Sequence, residues 1–326
     1  MKKLIFIMFL ISSFVLINSC GIDQNYEHKE IKYIDTGVNP DEWVVVSAGK
    51  VYTGQFYKED KIDYDFEIMK TPVTNAQYVE YLNNALKDGR IKIENNIVMG
   101  FYEGDEYSGF RHELKIEKGY HPYVYLDKAG MRFVFKDDKF VVDKGFENHP
   151  IVLVTWFGAN GYAEYYGYRL PLEIEWEKAA RGDKKWVYPW GNNLDETYAN
   201  FNFSNHNIMR LLEYKHPITS PVGFFNGKDY DGYVTADAGS YYGLYDMAGN
   251  VWEWIRDKYE KMSDRFMKGG SFRNYDNNLR VWVRNSARPD YSGIDVGFRC
   301  VRDVVKKIKQ NILKEEEELK NSENER

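Results

Sequence analysis

Apolar and polar residues alternate in two early stretches, VVVSAGKVYTG (45–55) and YDFEIMKTPVT (64–74), and the alternation predicts strands. The period then changes. Over Asn75–Leu86 the residues Tyr78, Tyr81, Leu82 and Ala85 fall on one face, which predicts a helix capped by Thr74. Short Gly-bounded runs follow through 87–147, and MRFVFKDDKFVVD (131–143) reads as a hairpin turning over Asp137-Asp138. A second amphipathic helix is predicted over Trp156–Tyr166, with Gly161 an unusual interior residue. A third, over 172–181, follows Pro171 and closes at Gly182. From 183 to 303 the chain reads as irregular and rich in Gly, Asn and Tyr. Irregular stretches of that length in a compact domain need something to fix them, and bound ions or aromatic packing are the candidates. After Asp303, Val305, Ile308 and Ile312 form a short helical stripe, and KEEEELKNSENER (314–326) is solvated charge.

The first nineteen residues depart from this pattern. Lys2-Lys3 precedes an almost unbroken apolar run, Leu4–Ile17, too short to span a membrane comfortably. Ile17-Asn18-Ser19-Cys20 then resembles the lipobox of bacterial lipoproteins, in which the Cys becomes the lipid-modified first residue. The competing reading is an ordinary signal peptide with an incidental Cys. Residues 1–19 are thus expected to be a lipoprotein signal peptide, and 20–42, which are polar, a tether. The expected partner is membrane lipid through Cys20. The expected location is the bacterial cell envelope, lipid-anchored and facing periplasm or exterior. Gly21 follows the Cys, so no Asp stands there to suggest retention at an inner membrane.

Composition narrows the function classes. With 43% hydrophobic residues, 27 Tyr, 19 Phe and 8 Trp, the 326-residue chain can bury a sizeable core. A net charge of −6 and the lack of a basic patch with interleaved aromatics argue against nucleic acid as a partner. Cys300 is the one cysteine besides Cys20, so a lipidated Cys20 leaves no intrachain disulfide, and Cys300 reads as a small buried hydrophobe. The histidines at 28, 112, 121, 149, 206 and 216 form no paired metal motif. No Ser-His-Asp arrangement and no phosphate-binding loop is visible.

Four blocks, in order, carry a resemblance. They are TPVTNAQYVEYL (71–82), HPIVLVTWFGANGYAEYYGYRLPLEIEWEKAARG (149–182) with YPWGN (188–192), YGLYDMAGNVWEW (242–254), and KGGSFRN (268–274) with RNSARPDYSGIDVGFRC (284–300). Together they resemble the formylglycine-generating enzyme, or sulfatase-modifying factor, family over 43–303, with 87–147 as an insertion and 304–326 as a charged tail. The resemblance implies one α+β domain of the variant C-type-lectin-like type, with low regular secondary structure. Arg169 and Glu173 are expected to make charge-assisted bonds, Trp176 to anchor the core, and Arg299 to join a buried polar framework.

The same resemblance sets expectations for the site. A structural Ca²⁺ is implied on Asp246, Gly249, Val251 and Glu253, a mixture of carboxylates and carbonyls that calcium prefers. Members that generate formylglycine hold copper on two cysteines, as Cu(I) requires. The matching positions, counted from Ser271, are Asn274 and Leu279, so copper-dependent cysteine oxidation is expected to be absent. The family disulfide partner of Cys300 is Ala163. Ser271, Arg273, Asn274 and Tyr275 are expected to line a pocket. The functional expectation is an envelope lipoprotein acting as a non-catalytic scaffold for an envelope protein, a peptide or a glycan. The alternatives are an exported oxidase with non-standard metal chemistry, and a helper in sulfatase activation.

Overall fold

A computed structural model describes residues 30–259 and 262–304. The signal segment, Cys20 and the stripe of Val305, Ile308 and Ile312 lie outside these residues.

The alternating run at 45–55 is two strands, not one. β1 (Trp43–Val46) and β2 (Gly49–Thr53) part at Ser47-Ala48, where the Ala48 amide donates to Asp65 Oδ1 at 2.7 Å. β2 pairs antiparallel with β3 (Lys58–Ile62), and β1 with β4 (Phe66–Met69), which is shorter than the 64–74 alternation suggests. α1 (Asn75–Lys87) begins as expected: Thr74 Oγ1 accepts from the Gln77 amide (3.2 Å), while Gln77 Oε1 accepts from the Thr74 amide (2.9 Å).

The insertion supplies β5 (Ile91–Glu94), β6 (Ile97–Tyr102) and β7 (Gly119–Tyr125), an antiparallel sheet in that order. β8 (Phe133–Lys136) and β9 (Lys139–Val142) form the expected hairpin, with Asp137 and Asp138 at φ 51° and 59°, as a type I′ turn requires. α2 (Trp156–Tyr165) starts at Thr155, whose Oγ accepts from the Gly158 amide. Gly161 has a packing reason: a Cβ there would lie 2.5 Å from the Tyr123 ring of β7. α3 (Glu173–Arg181) ends at Gly182, φ 62°.

The stretch read as irregular is more ordered than its pattern suggests. It contains α4 (Asn205–Leu211), β10 (Asp229–Tyr230), β11 (Tyr233–Val234), β12 (Trp252–Lys258), β13 (Arg265–Lys268), β14 (Arg284–Ala287), β15 (Val296–Phe298) and β16 (Val301–Asp303). β14, β13, β12 and β15 form one sheet, in which β12 and β15 run parallel. Residues 252–255 and all of β13 are buried, so no in-out alternation marks them as strands. β16 pairs with β4, completing a sheet of order β1-β4-β16.

Three larger apolar clusters and a smaller fourth hold the described elements together. One joins α1 and α2 to Trp254 and Phe298; a second surrounds Trp176 with Phe66, Ile255 and Val301. The third contains Ile31 and Ile34 with Phe146, Phe224 and Phe225. Thr36 Oγ1 also donates to the Val222 carbonyl at 2.9 Å. Residues 30–42 are therefore packed on the domain, a correction to the expectation of a tether reaching Trp43: their few apolar residues bury, and polarity of the rest is no obstacle.

Candidate functional site

β13 carries the chain to Gly269-Gly270, both at positive φ (97° and 73°). A Cβ on Gly270 would lie 2.9 Å from the Asn278 carbonyl oxygen, so glycine is required for the chain to fold back here. Ser271 follows, fully buried. Its Oγ lies 2.7 Å from Asp295 Oδ2 and 2.8 Å from Asn274 Oδ1, and its amide donates to Asn274 Oδ1 at 3.0 Å. Ser271 and Asn274 thus tie the turn from within. Ser271 is enclosed, whereas Asn274 is half-buried and turns its Oδ1 to Ser271. Arg273 and Tyr275 do reach the surface. Tyr275 meets Phe203 edge-on at 5.6 Å. Phe203 belongs to an open groove of about 880 Å³ whose lining includes Tyr188, Asp195, Glu196 and Asp276.

Leu279 is fully buried in an apolar cluster with Tyr188, Ala199, Phe201 and Ala248. Cys300 and Ala163 both lie fully buried in the cluster of α1 and α2, where burial pushes the Cys300 thiol well up. His149 is buried with Nδ1 2.9 Å from Thr219 Oγ1, and burial together with nearby Arg132 pushes its imidazole down to about 3. His206 is exposed and bonds the Phe203 carbonyl at 2.7 Å. Among the described residues no three His, Cys, Asp or Glu side chains converge on a point that would hold a metal.

Behind the turn stands a buried ion pair. Arg299 donates through Nη2 to Glu253 Oε1 (2.7 Å) and through Nε to Oε2 (2.8 Å), and Trp176 Nε1 donates to the same Oε2 (2.8 Å). Both charged side chains are almost wholly inaccessible, and their burial is made tolerable by this pairing together with the bonds of Arg299 to the Met69, Lys70 and Tyr245 carbonyls. Asp246, at φ 58°, accepts from the Gly223 amide through Oδ2 (2.7 Å) and makes only a 3.5 Å contact with Asn250 through Oδ1. Burial raises its carboxyl to about 6; the Gly223 amide and Arg299 oppose that rise, and Glu253 adds to it. The four calcium candidates therefore divide. Asp246 carries a charge that its surroundings meet only in part and fits a cation ligand, whereas Glu253 already has its charge balanced by Arg299.

Arg169 and Glu173 both make the expected charge-assisted bonds, though not with each other. The Arg169 guanidinium bonds Glu175 (2.6 and 2.7 Å) and Asp303 (2.9 Å). Glu175 sits at the third position of α3, where its Oε2 accepts from the Leu172 amide (2.8 Å), and that bend brings it back to Arg169. Glu173 pairs instead with Lys268 (3.2 Å) and Arg284 (2.9 Å). The buried run Lys268–Glu177–Arg181, at 2.8 and 2.9 Å, was not anticipated, although Glu177 and Arg181 have the i,i+4 spacing that pairs charges on a helix.

A sequence model of the sulfatase-modifying factor enzyme 1-like domain matches residues 30–304. The chain belongs to this family. The formylglycine-generating enzyme of Thermomonospora curvata is 38% identical over 181 residues, covering 48% of this chain and 56% of the relative. A protein of Chlamydia caviae named serine/threonine-protein kinase pkn1 is 31% identical over 291 residues, covering 81% of this chain but 38% of that protein. The chain thus spans about four-tenths to just over half of these relatives' lengths. Among solved structures, PvdO from Pseudomonas aeruginosa matches over 84% of this chain and 98% of its own, with a TM-score of 0.50 at 20% identity. The fold is accordingly the α+β, variant C-type-lectin-like fold of the sulfatase-modifying factor family, and the family match begins at residue 30, where packing on the domain is also seen.

Proposed function

We propose that this member of the family binds rather than catalyses, and that it is held at the cell envelope by lipid on Cys20. The observation that carries the reading is Leu279. A copper site of the formylglycine-generating kind needs two soft thiolates. At the matching positions stand Asn274, spent on Ser271, and Leu279, closed inside an apolar cluster. The binding surface is the groove beside Tyr275 and Phe203, which are 55% and 54% exposed, and Arg273, also exposed, lies two residues before Tyr275 in the chain; Tyr and Arg are favoured anchors at interfaces. Its partner is an envelope protein, peptide or glycan. A structural Ca²⁺ at Asp246, with carbonyls of Gly249 and Val251, would brace the turn beneath, Glu253 being already taken by Arg299.

A copper titration against a competing chelator, with oxygen uptake measured on a Cys-x-Pro-x-Arg peptide, tests the central point. The expected result is no tight copper and no uptake. Stoichiometric copper or iron with oxygen consumption would establish the exported-oxidase alternative instead, and co-purification of a sulfatase would favour the helper role. Chelation is expected to lower the thermal midpoint; an unchanged midpoint removes the calcium brace. Fatty-acid labelling that survives Cys20→Ser would remove the lipid anchor.

A further inference from the structure

The insertion strands and the first two helices enclose a separate pocket of about 320 Å³, which shares no lining residue with the groove at Phe203. That volume is at the lower end for small-molecule sites. Its floor is aromatic and closed: Tyr81 of α1 and Tyr123 of β7 are 2% and 4% exposed. Tyr123 lies against Gly100 and Gly161, where a Cβ would come within 2.1 and 2.5 Å of its ring. Two of the hydroxyls around the cavity are already committed, Tyr123 to the Phe101 carbonyl (3.0 Å) and Tyr165 to Asp88 (2.7 Å). These rings therefore offer apolar faces to an occupant.

The rim is the opposite. It carries Arg90 and Glu164, both exposed. Two other cations close by are paired within the chain: Lys92, over the Tyr120 ring, to Glu94 at 2.8 Å, and Lys118, over the Phe101 ring, to Glu103 at 2.6 Å. Arg90 differs. Its guanidinium lies over the Tyr165 ring, 5.5 Å from the centroid, and among the described residues it has no ion pair. Glu164 accepts from Asn160 through Oε1 (2.9 Å), which leaves Oε2 unused among those residues.

An apolar aromatic floor beneath one unpaired guanidinium and one half-used carboxylate selects the ligand class. We propose that this pocket binds an aromatic residue with a free α-carboxylate, either a free amino acid or the last residue of a peptide. The side chain packs among the rings, the carboxylate takes a bidentate bond from Arg90, and Glu164 accepts from the amino group or amide N–H.

Ligand-observed NMR or calorimetry on the protein tests this with phenylalanine, N-acetylphenylalanine and N-acetylphenylalaninamide as probes. At least one of the two acids is expected to bind saturably, and N-acetylphenylalanine at least tenfold more tightly than its amide if peptide ends are the source. Preference for N-acetylphenylalanine over phenylalanine assigns peptide ends; the reverse, with Glu164→Gln weakening phenylalanine, assigns the free amino acid. In either case Arg90→Gln lowers affinity for the bound acid about tenfold or more while the thermal midpoint stays put, since the side chain is exposed. Equal binding of the best acid by wild type and Arg90→Gln, no saturable binding at millimolar concentration, or displacement by glucose would each overturn the proposal. None of these outcomes depends on the copper or partner tests above.

Discussion

Arg299 and Glu253 show how one pair organises the centre of the domain. Removing one partner leaves the other charge buried and unmatched, which costs about 3–5 kcal/mol. Arg299→Leu is therefore expected to lower the urea midpoint by an amount corresponding to that range, whereas Glu253→Gln should cost less, because Arg299 keeps its bonds to the Met69, Lys70 and Tyr245 carbonyls. Equal losses would mean that the charge pair alone governs, since the Trp176 bond survives in both variants. His149 makes a second prediction. Its imidazole is pushed from an ordinary 6.5 down to about 3, so between those values the unfolded chain takes up a proton that the fold refuses. Its contribution is fully present above pH 6.5 and is lost as pH falls toward 3. Stability measured from pH 7.5 to 5 should decline less steeply in His149→Gln; parallel curves would show that the imidazole is not held neutral.

Among the elements, the contact of α2 with β7 is sensitive to a single methyl group. Gly161→Ala places a Cβ 2.5 Å from the Tyr123 ring, and overpacking of that kind costs about 1–3 kcal/mol. The same change displaces Tyr123 from the floor of the aromatic pocket, so loss of stability and loss of ligand binding are expected together in parallel unfolding and binding measurements. What the sequence disclosed at this scale follows from exposure. α1, α2 and the 131–143 hairpin each have a wet side, and period and punctuation mark them; α3 is buried over Glu175–Arg181 and is marked instead by Pro171 before it and Gly182 at its end. β12 and β13 lack a wet side over most of their length and went unread. The candidate site divides the same way. Gly-Gly-Ser was legible as a turn, but the burial of Ser271 depends on Asp295, 24 residues later, which no local pattern announces.

For the molecule as a whole, the segment before β1 is a structural member. Ile31 and Ile34 lie in the cluster with Phe146, and fully burying an aliphatic side chain is worth about 1.5–3 kcal/mol. A chain beginning at Trp43 is expected to unfold at a lower urea midpoint than one beginning at residue 30; coincident unfolding curves would show that the segment rests on the domain without supporting it. The sheet β1-β4-β16 has a further consequence. Its outer strands are the opening and closing strands of the domain, and they flank one shared neighbour. Two strand spacings separate them, about 10 Å across the sheet. Both run antiparallel to β4 and so parallel to each other: Trp43, where β1 begins, lies level with Met69, whereas Asp303, where β16 ends, lies level with Phe66. The first and last strands thus share a neighbour but open at opposite ends of the sheet, so a loop that joined them would have to run back along the strands.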